Sequence, residues 1–367
     1  MGKLFSPLTI GGMRIENRVQ VSPMCQYSAH DGVTNDWHLQ HLMGLALSGA
    51  GWLTFEATHV SPEGRITHGC AGLWSDASEA ALKRIVDACR SVAPCKLGVQ
   101  LAHAGRKGSA QRPWEGRSAL AASEGAWQTL APSAVALAAG WHVPSALDAR
   151  GMAGVRDAFV ASARRALRVG FDSIEIHSAH GYLLNEFLSP LANRRTDRYG
   201  GSLENRMRFA LEVFEAVRAA WPRERALGVR IPGTDYVEGA WGPDDAIAYA
   251  RELRSRGCDF VTVSGGGVVL DAKVPVSPGY QVPYAQAVKE ATGMVTGAVG
   301  LITEARQAEA IVVEGRADYV AIARAFLFNP RWAWHAALEL GDEIRFAPQY
   351  ARCHPSVWLP ARDLLGV

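Results

Sequence analysis

Short runs of apolar and β-branched residues alternate along this chain with longer stretches in which apolar residues recur every three or four positions. The short runs fall near residues 19–23, 52–58, 96–102, 173–177, 227–231, 260–264, 294–298 and 318–323. Strands buried on both faces read in this way, as nearly unbroken apolar runs. The longer stretches, 80–92, 155–169, 204–221, 244–256 and 304–314, have the period of helices that pack one face on a sheet, clearest in Leu211, Phe214, Val217 and Trp221. Strand and helix in alternation predict a parallel sheet covered by helices. Eight such strands predict an α/β fold, a (β/α)8 barrel, rather than two dinucleotide-binding halves, because no strand runs into a G-x-G-x-x-G turn. Gly49-Ala50-Gly51 precedes its strand and lacks the third glycine, so it is assigned to packing.

Two connections are too long for simple turns. After the third strand, residues 103 to about 154 hold glycines, prolines and Trp114, Trp127 and Trp141; after the sixth, residues 265 to about 283 are rich in glycine and proline. Loops of this length in a compact domain serve as lids or subunit contacts. With no repeat, low-complexity tract or linker in the sequence, residues 1–367 are expected to form one domain.

Composition narrows the partners. Lys and Arg number 38 against 36 Asp and Glu, so no field of one sign draws the chain to nucleic acid or an anionic membrane. A small neutral or anionic ligand is expected instead. Cys25, Cys70, Cys89, Cys95, Cys258 and Cys353 are scattered without a C-x-x-C pair, which argues against a zinc, iron–sulfur or redox-disulfide site and favours a reducing, cytoplasmic setting. The N-terminal residues lack a signal-peptide pattern, and no apolar run approaches the ~20 residues of a membrane span.

In such a barrel the chemistry sits at the C-terminal ends of the strands. The first strand leads into Ser22-Pro23-Met24-Cys25-Gln26-Tyr27, the third into Gln100-Leu101-Ala102-His103-Ala104-Gly105-Arg106-Lys107, and the fourth carries Glu175, His177, His180 and Tyr182. These segments, with Phe187-Leu188-Ser189-Pro190 and Asn193 to Ser202 after them, resemble the old yellow enzymes over nearly the whole chain. Cys25 and Tyr27, with Tyr350-Ala351-Arg352 and Trp358 in the tail, are similar to the bacterial xenobiotic-reductase and thermophilic-like subclass.

The resemblance implies a tightly but non-covalently bound FMN, reduced by NADPH or NADH, that reduces activated C=C bonds of α,β-unsaturated carbonyl or nitro compounds in a ping-pong cycle. It implies that His177 and His180 donate hydrogen bonds to the substrate's carbonyl or nitro oxygen, where enolate-like charge develops. Paired histidines also raise the question of zinc, but no further ligand stands at suitable spacing, and no metal is expected. Tyr182 is implied as the general acid, its phenol protonated at neutral pH; the alternative is a tyrosine packed under the lid.

Period-two counting puts Glu175 with His177, and Gly228 with Arg230, on inward faces. An inward arginine needs a partner. A core ion pair with Glu175 is one answer, and the resemblance places Arg230 by the flavin N1–C2 edge, with Gln100 on the pyrimidine edge and Ser22, Pro23, Met24 and Ala57 against the ring. Val299-Gly300 and Ala323-Arg324, after strands seven and eight, are the phosphate-site candidates. Relatives carry Gly-Arg where this chain has Ala323-Arg324, and the xenobiotic reductases have a tryptophan where it has Val299. Cys25 could be an inert buried thiol; the resemblance makes it a flavin and substrate contact instead. Tyr27, Arg352 and Trp358 complete the implied substrate site, with Arg352 reaching into a neighbouring subunit of a homodimer or homotetramer through a tail at about 345–367. A surface arginine is the plainer alternative.

Other readings stay open. A dienoyl-CoA-reductase-like flavoenzyme would add a cysteine-rich cluster segment and a second nucleotide-binding domain; a metal-dependent barrel hydrolase would use His177 and His180 with nearby acids; a non-catalytic barrel would use none of them.

Overall fold

The computed structural model describes residues 2–363; residue 1 and residues 364–367, the ends of the expected 1–367 domain and of its tail, lie outside the described residues. Eight parallel strands close a barrel in sequence order: β1 (Val19–Val21), β2 (Trp52–His59), β3 (Lys96–Ala102), β4 (Ser173–His177), β5 (Ala226–Pro232), β6 (Phe260–Ser264), β7 (Val295–Ala298) and β8 (Tyr319–Ile322), with β8 pairing back to β1. Each is a buried run in the sequence, and each lies where the pattern predicts a strand, within one or two residues at either end.

A helix follows every strand: α1 (Asp36–Ala46), α2 (Asp76–Val92), α3 (Ala149–Val169), α4 (Leu203–Ala220), α5 (Pro243–Ser255), α6 (Val282–Thr292), α7 (Ala305–Val313) and α8 (Trp332–Glu339). Ser75, Asp148 and Ser202 cap α2, α3 and α4 by accepting from backbone N–H groups of the first turn. These caps start α2 and α3 earlier than the apolar period alone suggests. The long connection after β3 holds two short 3-10 turns and a two-stranded sheet of Leu130–Ala131 with Ser145–Ala146; that after β6 runs from Ser264 to α6.

The N-terminal end of the barrel is plugged. A hairpin of Leu8–Ile10 and Met13–Ile15 lies across it, and Ile10, Met13 and Ile15 join Trp52, Phe260 and Tyr319 in one buried cluster. Trp52 meets Phe260 edge-on at 4.9 Å. Small residues make room for these rings: a Cβ on Gly228 would stand 2.5 Å from Phe260, and one on Gly297 2.2 Å from Tyr319. The packing role assigned to Gly49 and Gly51 has a similar basis, since a Cβ there would strike Trp334 and the backbone of Asn17 respectively. Above the aromatic floor the interior turns polar, and the opposite end stays open to the strand-end loops.

Candidate active site

Four segments meet at the C-terminal end of the barrel. After β1, the chain through Cys25 reaches Tyr27, whose φ of 52° is left-handed; Gly69 lies so close beneath it that a Cβ would be 2.1 Å from the Tyr27 carbonyl. Cys25, Tyr27, Tyr182 and Trp141 pack against Ile66, Cys70, Ala104 and Ala110. After β4, His180 also takes a left-handed conformation, with φ of 62°. Such strain in a non-glycine residue persists only where its surroundings hold it. Lys107 supplies part of that hold, its partly buried ammonium donating to the carbonyls of His180 at 2.8 Å and Gly267 at 3.0 Å while standing 5.1 Å from the Tyr182 ring centroid.

His177 and His180 converge. His177 Nε2 and His180 Nδ1 are 3.3 Å apart, and His180 Nε2 lies 2.7 Å from Ser264 Oγ. The Ala179 N–H points at His177 Nδ1, which leaves the ring proton on Nε2. By that assignment His177 donates to His180 Nδ1, and His180 Nε2–H donates to Ser264. Burial, with the cations Arg230 and Lys107 nearby, holds both imidazoles well below their ordinary pKa, so both are neutral at physiological pH. The Tyr182 ring meets His177 edge-on at 4.9 Å, and burial pushes its phenol above the usual range, keeping it protonated.

The core ion pair with Glu175, one of the two partners open to Arg230, does not form. Glu175 takes hydrogen bonds from Gln100 at 2.7 Å and Thr262 at 2.5 Å, one on each carboxylate oxygen. Arg230 instead reaches up to Ser22 Oγ at 3.1 Å, and its Nε–H is buried without a partner. A buried, unmet donor on a cation calls for an acceptor of opposite charge.

Arg230 borders a cavity of about 240 Å³ together with Ser22, His180, Ser264, Val299, Gly300, Ala323 and Arg324. Of the expected flavin contacts, Ser22, Arg230, Val299, Gly300, Ala323 and Arg324 border this one space, whereas Pro23, Met24, Cys25, Ala57 and Gln100 do not. Gly300 is left-handed (φ 109°), Arg324 is exposed at its rim, and Ala323 keeps φ −108° and so needs no glycine. These residues fit an anionic group with a planar acceptor edge. A larger hollow of about 560 Å³ lies at the other end of the barrel between Gly49–Gly51, Pro94–Lys96 and Glu343–Pro348, away from the converging polar groups.

Arg352 and Trp358 are not brought to this site within one chain. They are exposed on a tail whose root packs Phe346 and Tyr350 against Trp334, near Gly49 at the plugged end. Sequence reasoning also passed over three residues. Lys107 and Ser264 lie in strand-end segments and could have been noticed there, whereas Glu56, a buried acid beside Cys25, is signalled only as the one charge in an apolar run. Among the described residues, no group of three or more His, Cys, Asp or Glu side chains is placed to hold a metal ion, and no helix is long and apolar enough to cross a membrane.

The family model of the NADH:flavin oxidoreductase / NADH oxidase family matches residues 3–343. The chain belongs to that family. It is 44% identical to an NADPH dehydrogenase of Geobacillus sp. (strain WCH70) over 95% of its own length and 98% of the relative's. Among solved structures it is similar to morphinone reductase in complex with tetrahydroNAD (29% identity, TM-score 0.76, 95% of this chain and 94% of that one) and to the old yellow enzyme homologue from Zymomonas mobilis (25% identity, TM-score 0.77, 94% of each). The resemblance read from Cys25 to Tyr199 therefore stands at family level: this is an FMN-dependent NAD(P)H oxidoreductase of the old yellow enzyme type.

Proposed function

We propose that this flavoenzyme reduces activated carbon–carbon double bonds of α,β-unsaturated carbonyl and nitro compounds, the nicotinamide and the alkene visiting one site in turn. The observation that carries the reading is the convergence of His177 Nε2 and His180 Nδ1 beside the Tyr182 ring, at the edge of the cavity that Arg230 borders. Ser22, Pro23, Met24, Cys25, Ala57 and Gln100 would hold the flavin ring, Arg230 its N1–C2 edge, and Val299, Gly300, Ala323 and Arg324 its phosphate end. The chemistry that bound FMN supplies is hydride uptake from NADPH or NADH and hydride delivery to an electron-poor alkene.

The protein's own groups do the rest. His177 Nε2–H is free to turn from His180 to a substrate oxygen. His180 can donate through Nδ1 once its proton sits there, and Ser264 then donates its hydroxyl hydrogen to Nε2. Two neutral donors aimed at one oxygen stabilise the charge that develops on it. Tyr182 delivers its phenolic proton to the α-carbon, and Tyr27 and Cys25 line the apolar side of the pocket. Arg352 and Trp358, exposed in one chain, reach the site of a second copy in a cytoplasmic homodimer or homotetramer built from single-domain subunits spanning 1–367.

The test is anaerobic spectroscopy of the yellow protein. NADPH or NADH should bleach the flavin band, and an enone or nitroalkene should restore it. Bleaching without reoxidation by any activated alkene would overturn the ene-reductase reading while leaving the family assignment intact.

A further inference from the structure

Strand β2 carries a bulge. Its register against β3 runs Phe55 with Val99 and then Ala57 with Gln100, so Glu56 is the extra residue. A bulge re-aims the side chain it inserts and is common beside active sites. Here it turns a carboxyl into the space beneath the Cys25 loop: Glu56 Oε2 accepts from the Gln26 N–H at 3.1 Å, and Oε1 lies 3.5 Å from His38 Nε2 on α1. The cap of α1 orients that imidazole. His38 Nδ1 lies 3.2 Å from the Asn35 N–H and 3.1 Å from Asn35 Oδ1, so the cap fixes the ring with Nε2 facing Glu56. Glu56 and His38 are both buried, and a void of about 10 Å³ beside them is bordered by Ser22, Met24, His41 and Thr54.

The mechanism above uses neither Glu56 nor His38, yet Glu56 is bonded to the backbone of Gln26, next to Cys25 in the chain. We propose that Glu56, oriented by the bulge and by His38, is a positioning residue of the Cys25 loop whose carboxylate, once formed, opposes a second negative charge on the Cys25 sulfur. The proposal rests on the reading of Cys25 as a flavin contact.

The titratable groups around Glu56 and Cys25 are Tyr27 and His30 on the β1 loop, His38 and His41 on α1, Cys70 on the loop after β2, and Tyr182 after β4. Burial pushes Glu56 up to about 8 and holds His38 at about 4, so His38 is neutral wherever Glu56 ionises. Burial, then the Glu56 charge, pushes Cys25 well above the ordinary thiol range. As pH rises, Glu56 therefore gives up its proton first, and its carboxylate opposes a second charge on the sulfur. A thiolate against the flavin would repel the negative charge that reduction places there; a neutral thiol does not.

The test reads Cys25 directly. FMN-loaded protein carrying Cys353→Ser, which removes the other partly exposed thiol, is alkylated with iodoacetamide across alkaline pH, and Cys25 modification is followed by mass spectrometry. Adding Glu56→Gln, which keeps an acceptor for the Gln26 N–H, should bring Cys25 alkylation to lower pH, about tenfold faster near pH 9 if one unit of suppression is lifted. His38→Gln removes the imidazole that faces Glu56 and should give a smaller shift of the same sign. Superimposable pH profiles for all three proteins would overturn the proposal. If Glu56→Gln does not bind FMN, His38→Gln decides alone. The flavin band judges the underlying reading separately: alkylation of Cys25 that leaves it unchanged removes Cys25 from the flavin, whatever the pH profiles show.

Discussion

His177 Nε2 and His180 Nδ1 stand 3.3 Å apart, and the imidazole of His180 is backed on its far side by Ser264. At rest His177 donates to His180, and each neutral imidazole carries one ring N–H that can be turned to a substrate oxygen. Replacing either histidine by alanine should weaken binding of phenols and enones and slow reoxidation of the reduced enzyme by enone by ~2.7–4 kcal/mol, the cost of losing one oxyanion donor. Ser264→Ala should act in the same direction but more weakly, because it affects only which nitrogen of His180 carries the proton. Titration of the flavin band with a phenol, and stopped-flow reoxidation, measure both effects. Unchanged reoxidation in the alanine variants would remove the pair from the site.

Tyr182→Phe should separate the half-reactions. Only reduction of the alkene requires a proton on carbon, so enone reduction should slow while flavin reduction by NADPH is spared. Stopped-flow rates that fall equally in both directions would mark Tyr182 as a packing residue of the apolar wall it shares with Cys25 and Trp141.

Much of this was readable in advance. The eight strands could be located because each is a short, mostly apolar or β-branched run, and the candidates at their ends could be found because His177, His180 and Tyr182 close a strand in tight succession. Three helices escaped the pattern. In α8, Trp332, Ala333, Trp334, Ala336 and Ala337 are all buried, so no polar face marks a period. Helix α6 opens with Val282-Pro283, and the proline of its first turn looked like the end of a loop. Helix α1 begins with a polar and aromatic turn. Side-chain partnerships were less legible than faces. Counting by two turned Arg230 inward, but its partner Ser22 comes from a strand-end loop 208 residues away in sequence. Glu56 was hidden for a related reason, since a one-residue bulge breaks the count on which facing depends.

Stability should peak at mildly acid pH. His38, His59 and His103 are held at about 4, about 3 and about 4 by burial, so the unfolded chain binds their protons more readily. The stability they contribute is present above the ordinary histidine value and drains as pH falls. Glu56 and Glu186, both raised to about 8 by burial, act in the opposite sense. Their contribution is present below the ordinary carboxyl value and drains as pH rises toward about 8. Tm measured across this range should decline on both sides of its maximum, and Glu186→Gln should flatten the alkaline decline alone. A native Tm that holds level from about pH 5 to about pH 8 would contradict this.

Arg352→Ala should impair turnover through the neighbouring subunit. A guanidinium has the planar fork to meet a flavin edge or a polar substrate group, and Arg352 is exposed in its own chain. Mixing Arg352→Ala with Tyr182→Phe protein under conditions of subunit exchange should restore some activity, because a site can then draw Tyr182 from one chain and Arg352 from the other. A fully active monomer in analytical ultracentrifugation would exclude the shared site.

The plug of Trp52, Phe260 and Tyr319, sealed by the hairpin beneath it, leaves the barrel with a single mouth. Nothing can leave by the floor while something else enters from above. Steady-state kinetics should carry that imprint: parallel double-reciprocal plots, with each reactant in excess acting as a dead-end inhibitor against the other, so that the best working ratio of nicotinamide to alkene is set by how long each lingers at a shared door.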